Sequence, residues 1–130
     1  MKFIYNPYGI EHGWQARVNT MKSIYKVEVV NKQAERRRAG IWIDRRSVLG
    51  NPFKIGRDGP REQVIEQYRI WLRRQWKGQG KVYDELVRLA ALSMHEPVCL
   101  LCWCKPLGCH GDVVVEAMAG IVKVGQQLMN

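Results

Sequence analysis

Three observations in this 130-residue chain predict an α/β fold. The apolar run Val98–Cys104 lies between Pro97 and Pro106, with the length and flanks of a strand buried on both faces. Val114, Ala117, Met118, Ile121 and Val122 then recur at i, i+3, i+4, i+7 and i+8, the stripe of a core-facing helix. Upstream, two strand-like segments precede two helical ones. The expected order is β-β-α-α-β-α: a single small domain whose short, partly parallel sheet is flanked by helices.

Each element has a local reason. Residues 1–25 mix turn pairs such as Asn6-Pro7 and His12-Gly13 with aromatics and keep no period, so they predict an irregular arm with at most one short strand. The α/β domain is expected over residues 26–130. Lys26–Val30 alternates, with Val27 and Val29 on one face; Lys32–Arg38 is a polar connection and Ile41–Ile43 a second strand. Leu49-Gly50-Asn51-Pro52-Phe53 is a loop, since proline pushes its predecessor out of helical geometry. Pro60 suits a first helical position and Glu62 the first turn; Val64, Tyr68, Trp71, Leu72 and Gln75 share a face, and Gly78 and Gly80 stop the helix. A second helix spans about Tyr83 to Met94, with Leu86, Leu89 and Ala90 in register. Asp112 is the expected N-cap of the last helix, which runs to about Val124. Trp71 and Trp76 are expected in the helix core, and His12 and His95 have no chemical partner nearby in the sequence.

Composition narrows the function classes. The chain is 46% hydrophobic and 25% charged, no run approaches the length of a membrane span, and Met1–Gly9 lacks the apolar stretch of a secretory signal. No membrane partner and a cytoplasmic location are expected. The net charge of +9 is concentrated: residues 1–57 carry twelve Lys and Arg against four Asp and Glu. Such a one-sided field suits phosphate-bearing partners. All four cysteines fall between Cys99 and Cys109, too close together for a disulfide framework, which points to a reducing compartment.

The chemistry concentrates in Cys102-Trp103-Cys104 and Cys109-His110-Gly111-Asp112. Cys102 and Cys104 are expected on one strand face, and the turn at Pro106–Gly108 brings Cys109 and His110 back beside them. Cys102, Cys104, Cys109 and His110 form a conceivable zinc ligand set, but C-x-C on a strand diverges less freely than a zinc knuckle, and zinc is not favoured. No cofactor is named. Without metal, Cys109 and His110 sit at a helix start, where the dipole favours anions and lowers a thiol pKa, which makes them candidate catalytic groups. Gly111 would let a ligand approach, with Asp112 beside it. Across from them Arg45, Leu49, Gly50 and Asn51 form the second ligand loop, arginine offering a planar fork and asparagine a polar edge. Taken alone, this loop is better explained by ordinary turn chemistry, with arginines after a strand facing water.

The chain resembles an uncharacterised bacterial and phage family, domain of unknown function 4326. The resemblance rests on Val29-Val30-Asn31-Lys32, Ile43-Asp44-Arg45, Leu49–Phe53, Gly59-Pro60-Arg61-Glu62, Tyr68–Leu72, Leu101–Cys104 and Cys109–Asp112. It covers about residues 27–118 and implies a small α/β domain with no established reaction. Two functions follow as expectations. The first is an enzyme or binder for an anionic, nucleotide-like ligand between the Leu49–Phe53 loop and the Cys109–Asp112 helix start. The second is a module contacting nucleic acid without sequence preference, its cysteines or zinc serving the fold.

Overall fold

The computed structural model describes residues 25–129, with side chains through residue 125. The expected arm falls outside these residues apart from Tyr25, as does His12. Strand β1 (Val27–Asn31), strand β2 (Ile41–Trp42), helix α1 (Arg61–Gly78), helix α2 (Lys81–Ser93), strand β3 (Val98–Cys102) and helix α3 (His110–Met129) follow in the predicted order.

The described sheet has the order β1-β3-β2 and is parallel throughout, not partly so. The reason is the position of β3. A short loop between adjacent strands would make an antiparallel hairpin, but β3 inserts between β1 and β2, and its own approach runs through two helices. Val27 pairs with Val98 and Asn31 with Cys102 on one side; Ile41 pairs with Leu100 and Trp42 with Leu101 on the other. The central strand is correspondingly buried along almost its whole length.

Boundaries shift from the sequence expectation for identifiable reasons. β3 stops at Cys102 because its partner β1 ends opposite it. There Asn31 bends the chain away: its Nδ2 donates to the carbonyls of Trp103 (3.3 Å) and Lys105 (2.7 Å), and its Oδ1 accepts from the Gln33 amide. Pro60 is the N-cap of α1, not its first helical residue, and its carbonyl receives the Val64 amide. Helix α1 continues through Gly78, and the left-handed turn after it falls on Gln79 (φ 47°). α2 begins at Lys81, two residues early, with Gly80 as its N-cap.

The helices pack on one another, with α3 also against β1 and α2 against β3. Tyr68, Leu72, Leu86, Leu89, Leu100 and Met118 form a fully buried centre. Trp71 and Trp76, expected in the helix core, are partly buried against its margin, Trp76 with its ring centroid 4.4 Å from that of Tyr83. Arg69 is partly covered, pairs with Glu66 on its own helix and joins α1 to α3 through Glu116. No helix among the described residues is long and apolar enough to cross a membrane.

Candidate functional site

At the carboxyl ends of the strands the chain leaves a cleft of about 520 Å³. This is where parallel α/β sheets place ligands, and the size suits a small molecule. Asn51, Arg45, Cys102, Cys104, Cys109 and His110 all line it. The two loops singled out in the sequence therefore face one space, although about 60 residues separate them.

The start of α3 is built by side chains closing on their own backbone. Cys109 precedes the helix, and its Sγ accepts the Gly111 amide at 3.3 Å. Asp112, three residues on, accepts the Cys109 amide at 3.2 Å and pairs with Lys105. This is the reciprocal logic of a capping box, with a thiol in the role usually taken by a hydroxyl. Asp112 is thus the first-turn partner of the cap and not the N-cap itself. These two helix-start donors are already engaged within the motif.

Gly111 also differs from expectation. It is buried, and a Cβ there would lie 2.8 Å from Ile43 Cδ1 and 2.9 Å from Val29 Cγ1. Its missing side chain lets α3 approach the sheet. Gly50 is similar, since a Cβ would meet the Asp44 carbonyl oxygen at 2.5 Å. Leu49 is fully buried, and its carbonyl accepts the Tyr68 hydroxyl at 2.6 Å, anchoring the loop to α1. Leu49, Gly50, Gly111 and Asp112 thus frame the cleft, whereas Arg45 and Asn51 line it. Asn51 Oδ1 caps the Phe53 amide at 2.9 Å, leaving its Nδ2 without a hydrogen bond among the described residues.

The thiols form a graded cluster. Cys109 and Cys102 are each 1% exposed, while Cys104 is half-buried in the cleft wall. The Cys109 thiol lies beside Cys102 and Cys104 and can give its one proton to either; these neighbours, with burial, raise its pKa. Cys104 moves the other way: the Cys109 hydrogen bond lowers its pKa, burial opposes, and the Arg61 guanidinium lowers it further. Cys102 is drawn down by the same donor, against its own burial and the negative Cys104. Cys104 is thus the more exposed of the two and the one whose pKa is lowered, whereas the sequence singles out Cys109. Cys99 lies apart, half-buried beside Gly40. Among the described residues no three His, Cys, Asp or Glu side chains converge as metal ligands.

His110 Nε2 faces the Ile43 carbonyl oxygen at 2.5 Å, which assigns the ring proton to that nitrogen. Its Nδ1 is then an acceptor 3.7 Å from Cys109 Sγ. Burial lowers the imidazole pKa, outweighing the opposing pull of the Ile43 carbonyl and nearby negative groups. The ring is neutral at pH 7.

Sequence reasoning missed Arg61, Lys54, Asp44 and Trp103, which also line the cleft. Arg61 opens α1 and donates from Nη1 to the Gly108 carbonyl at 3.0 Å, bridging to the turn before Cys109. Its Gly59-Pro60-Arg61-Glu62 motif was visible in the sequence but explained as a helix start alone. Nothing local to Trp103 or Asp44 announces their contact, which spans 59 positions.

No curated protein and no solved structure matches the chain. One family does, the domain of unknown function DUF4326, over residues 27–120. That span runs from β1 into α3 and takes in every residue of the cleft. The chain belongs to the DUF4326 family.

Proposed function

We propose that the cleft binds a small anionic, nucleotide-like molecule, its charged part held by Arg45, Lys54 and Arg61 and a polar edge met by Asn51. The observation carrying this reading is the distribution of ion pairs. Arg38, Arg46, Arg57, Arg69 and Arg88 are each paired with a carboxylate. Arg45, Lys54 and Arg61 form no ion pair with a carboxylate among the described residues, Arg61 facing the Cys104 sulfur instead, and all three line the same cleft. Cations gathered in a concave wall raise the local potential for an anion. Cys104 stands within this wall with its pKa lowered by Cys109 and Arg61, which favours nucleophilic chemistry on a bound electrophile.

Calorimetric titration with inorganic pyrophosphate tests the anion reading. Binding should weaken about tenfold or more in Arg61→Ala, the loss expected for a charge-assisted hydrogen bond. Undiminished binding in that variant, or none to the native protein, would sink it.

A second reading, nonspecific contact with nucleic acid, draws on the loop after β1. Lys32 Nζ donates to the carbonyls of Arg36 (2.7 Å) and Arg38 (2.6 Å), folding the loop, and Arg38 pairs with Glu28 and Glu35. This leaves Arg36 and Arg37 exposed and outside any ion pair among the described residues. Both are placed to meet phosphate.

A further inference from the structure

Trp103 is 49% exposed, an unusual outlay of aromatic surface in a small domain, yet its ring is held in place. The indole Nε1 donates to Asp44 Oδ2 at 3.0 Å. The ring stacks on Trp42 with centroids 5.4 Å apart and planes 29° from parallel. The Arg46 guanidinium lies 3.8 Å from the centroid of Trp42, and its Nε reaches Asp44 Oδ1 at 3.1 Å. Asp44 thus fixes both ends of the assembly. Burial tends to raise the Asp44 pKa, but the Trp103 and Arg46 bonds prevail and lower it. A side chain that only filled space would not need this bracing, and a mobile surface tryptophan would not have it.

The braced ring also borders the cleft that holds Arg45, Arg61 and Cys104. A flat apolar surface beside a cationic wall matches a molecule with an aromatic end and an anionic end. We infer that Trp103 is a stacking platform for a planar heterocycle, so that the ligand class is a nucleotide carrying its base and not a bare phosphate or sugar phosphate. This rests on the anion-binding reading for the phosphate half alone. The aromatic half stands on the geometry of Trp42, Asp44, Arg46 and Trp103. Stacking uses the π-face common to all bases, so the platform discriminates base from no base more sharply than one base from another.

The test separates the two halves. AMP, adenosine and ribose phosphate are titrated calorimetrically into the native protein, Trp103→Ala and Trp103→Phe, with each variant's fold checked by circular dichroism. AMP should bind about tenfold or more tighter than ribose phosphate to the native protein. Trp103→Ala should bring AMP down to the ribose phosphate level without moving ribose phosphate itself, and Trp103→Phe should keep most of the preference. Adenosine should bind weakly, and only where a ring stands at position 103. Equal affinity for AMP and ribose phosphate would overturn the platform while leaving the anion site intact. Adenosine binding with ribose phosphate silent would sustain the platform and remove the anion reading. If neither AMP nor adenosine binds, the platform is wrong.

Discussion

Cys104 and Cys109 are five positions apart and chemically identical in the unfolded chain, yet the fold gives them opposite characters. Cys109 is sealed beneath the start of α3, where its sulfur serves the Gly111 amide. Cys104 lies in the cleft wall beside Arg61. With its pKa held down by Cys109 and Arg61, Cys104 is a thiolate at pH values where an ordinary cysteine, at about 8.5, is still protonated. Iodoacetamide at pH 7 should therefore alkylate Cys104 first, as read by peptide mass spectrometry, with Cys102 and Cys109 protected until the protein unfolds. The rate should fall off only as pH drops well below 7, since the lowered pKa preserves the thiolate until then. Arg61→Ala should move that fall-off to higher pH. Modification of Cys109 ahead of Cys104 would restore the role first expected for Cys109. Sequence position alone suggested Cys109 because a helix start is visible in the sequence, whereas the arginine that favours Cys104 comes from a helix more than 40 residues earlier.

At the scale of elements, period and punctuation carried most of the information. β3 and α3 were legible because an apolar run between prolines and an i, i+3, i+4 stripe are local signals. So was the convergence of the Leu49–Phe53 loop and the Cys109–Asp112 turn, since both follow strands whose carboxyl ends a parallel sheet must align. The functions of the glycines were not legible. Gly111 and Gly125 lie on one helix, and helix propensity treats them alike. Packing separates them: a methyl group at Gly111 would strike Val29 and Ile43, whereas none of the described residues lies within 4 Å of one at Gly125. Gly111→Ala should destabilise the domain by about 1–3 kcal/mol through overpacking. Gly125→Ala should be neutral or stabilise it by up to about 1 kcal/mol, because alanine is the better helix former. Urea denaturation of both variants checks the pair; equal effects would mean that α3 does not seat on the sheet through Gly111.

Across the whole molecule, charge is the property that sequence totals describe least well. The excess of +9 suggests a broad basic face, but among the described residues folding gives several of these cations different surroundings. Some cations brace the fold in ion pairs with Glu28, Asp44, Asp58, Glu85 and Glu116. Arg45, Lys54 and Arg61 turn to the cleft, and Arg36 and Arg37 stand exposed on the loop after β1. Arg38, which belongs to the same run in the sequence, is among the paired cations because Glu28 reaches it. On this division the proposed contact with duplex DNA is separable from the proposed binding in the cleft. If Arg36 and Arg37 each neutralise one phosphate, replacing both with Ala should lower the slope of log affinity against log salt by about 1.8. The same double variant should bind pyrophosphate in the cleft as the native protein does, since neither residue lines it. Fluorescence anisotropy on a labelled duplex over a salt series measures the first quantity, and calorimetry the second. An unchanged slope would exclude this loop from phosphate contact, and a parallel loss of pyrophosphate binding would show that loop and cleft act as one basic surface.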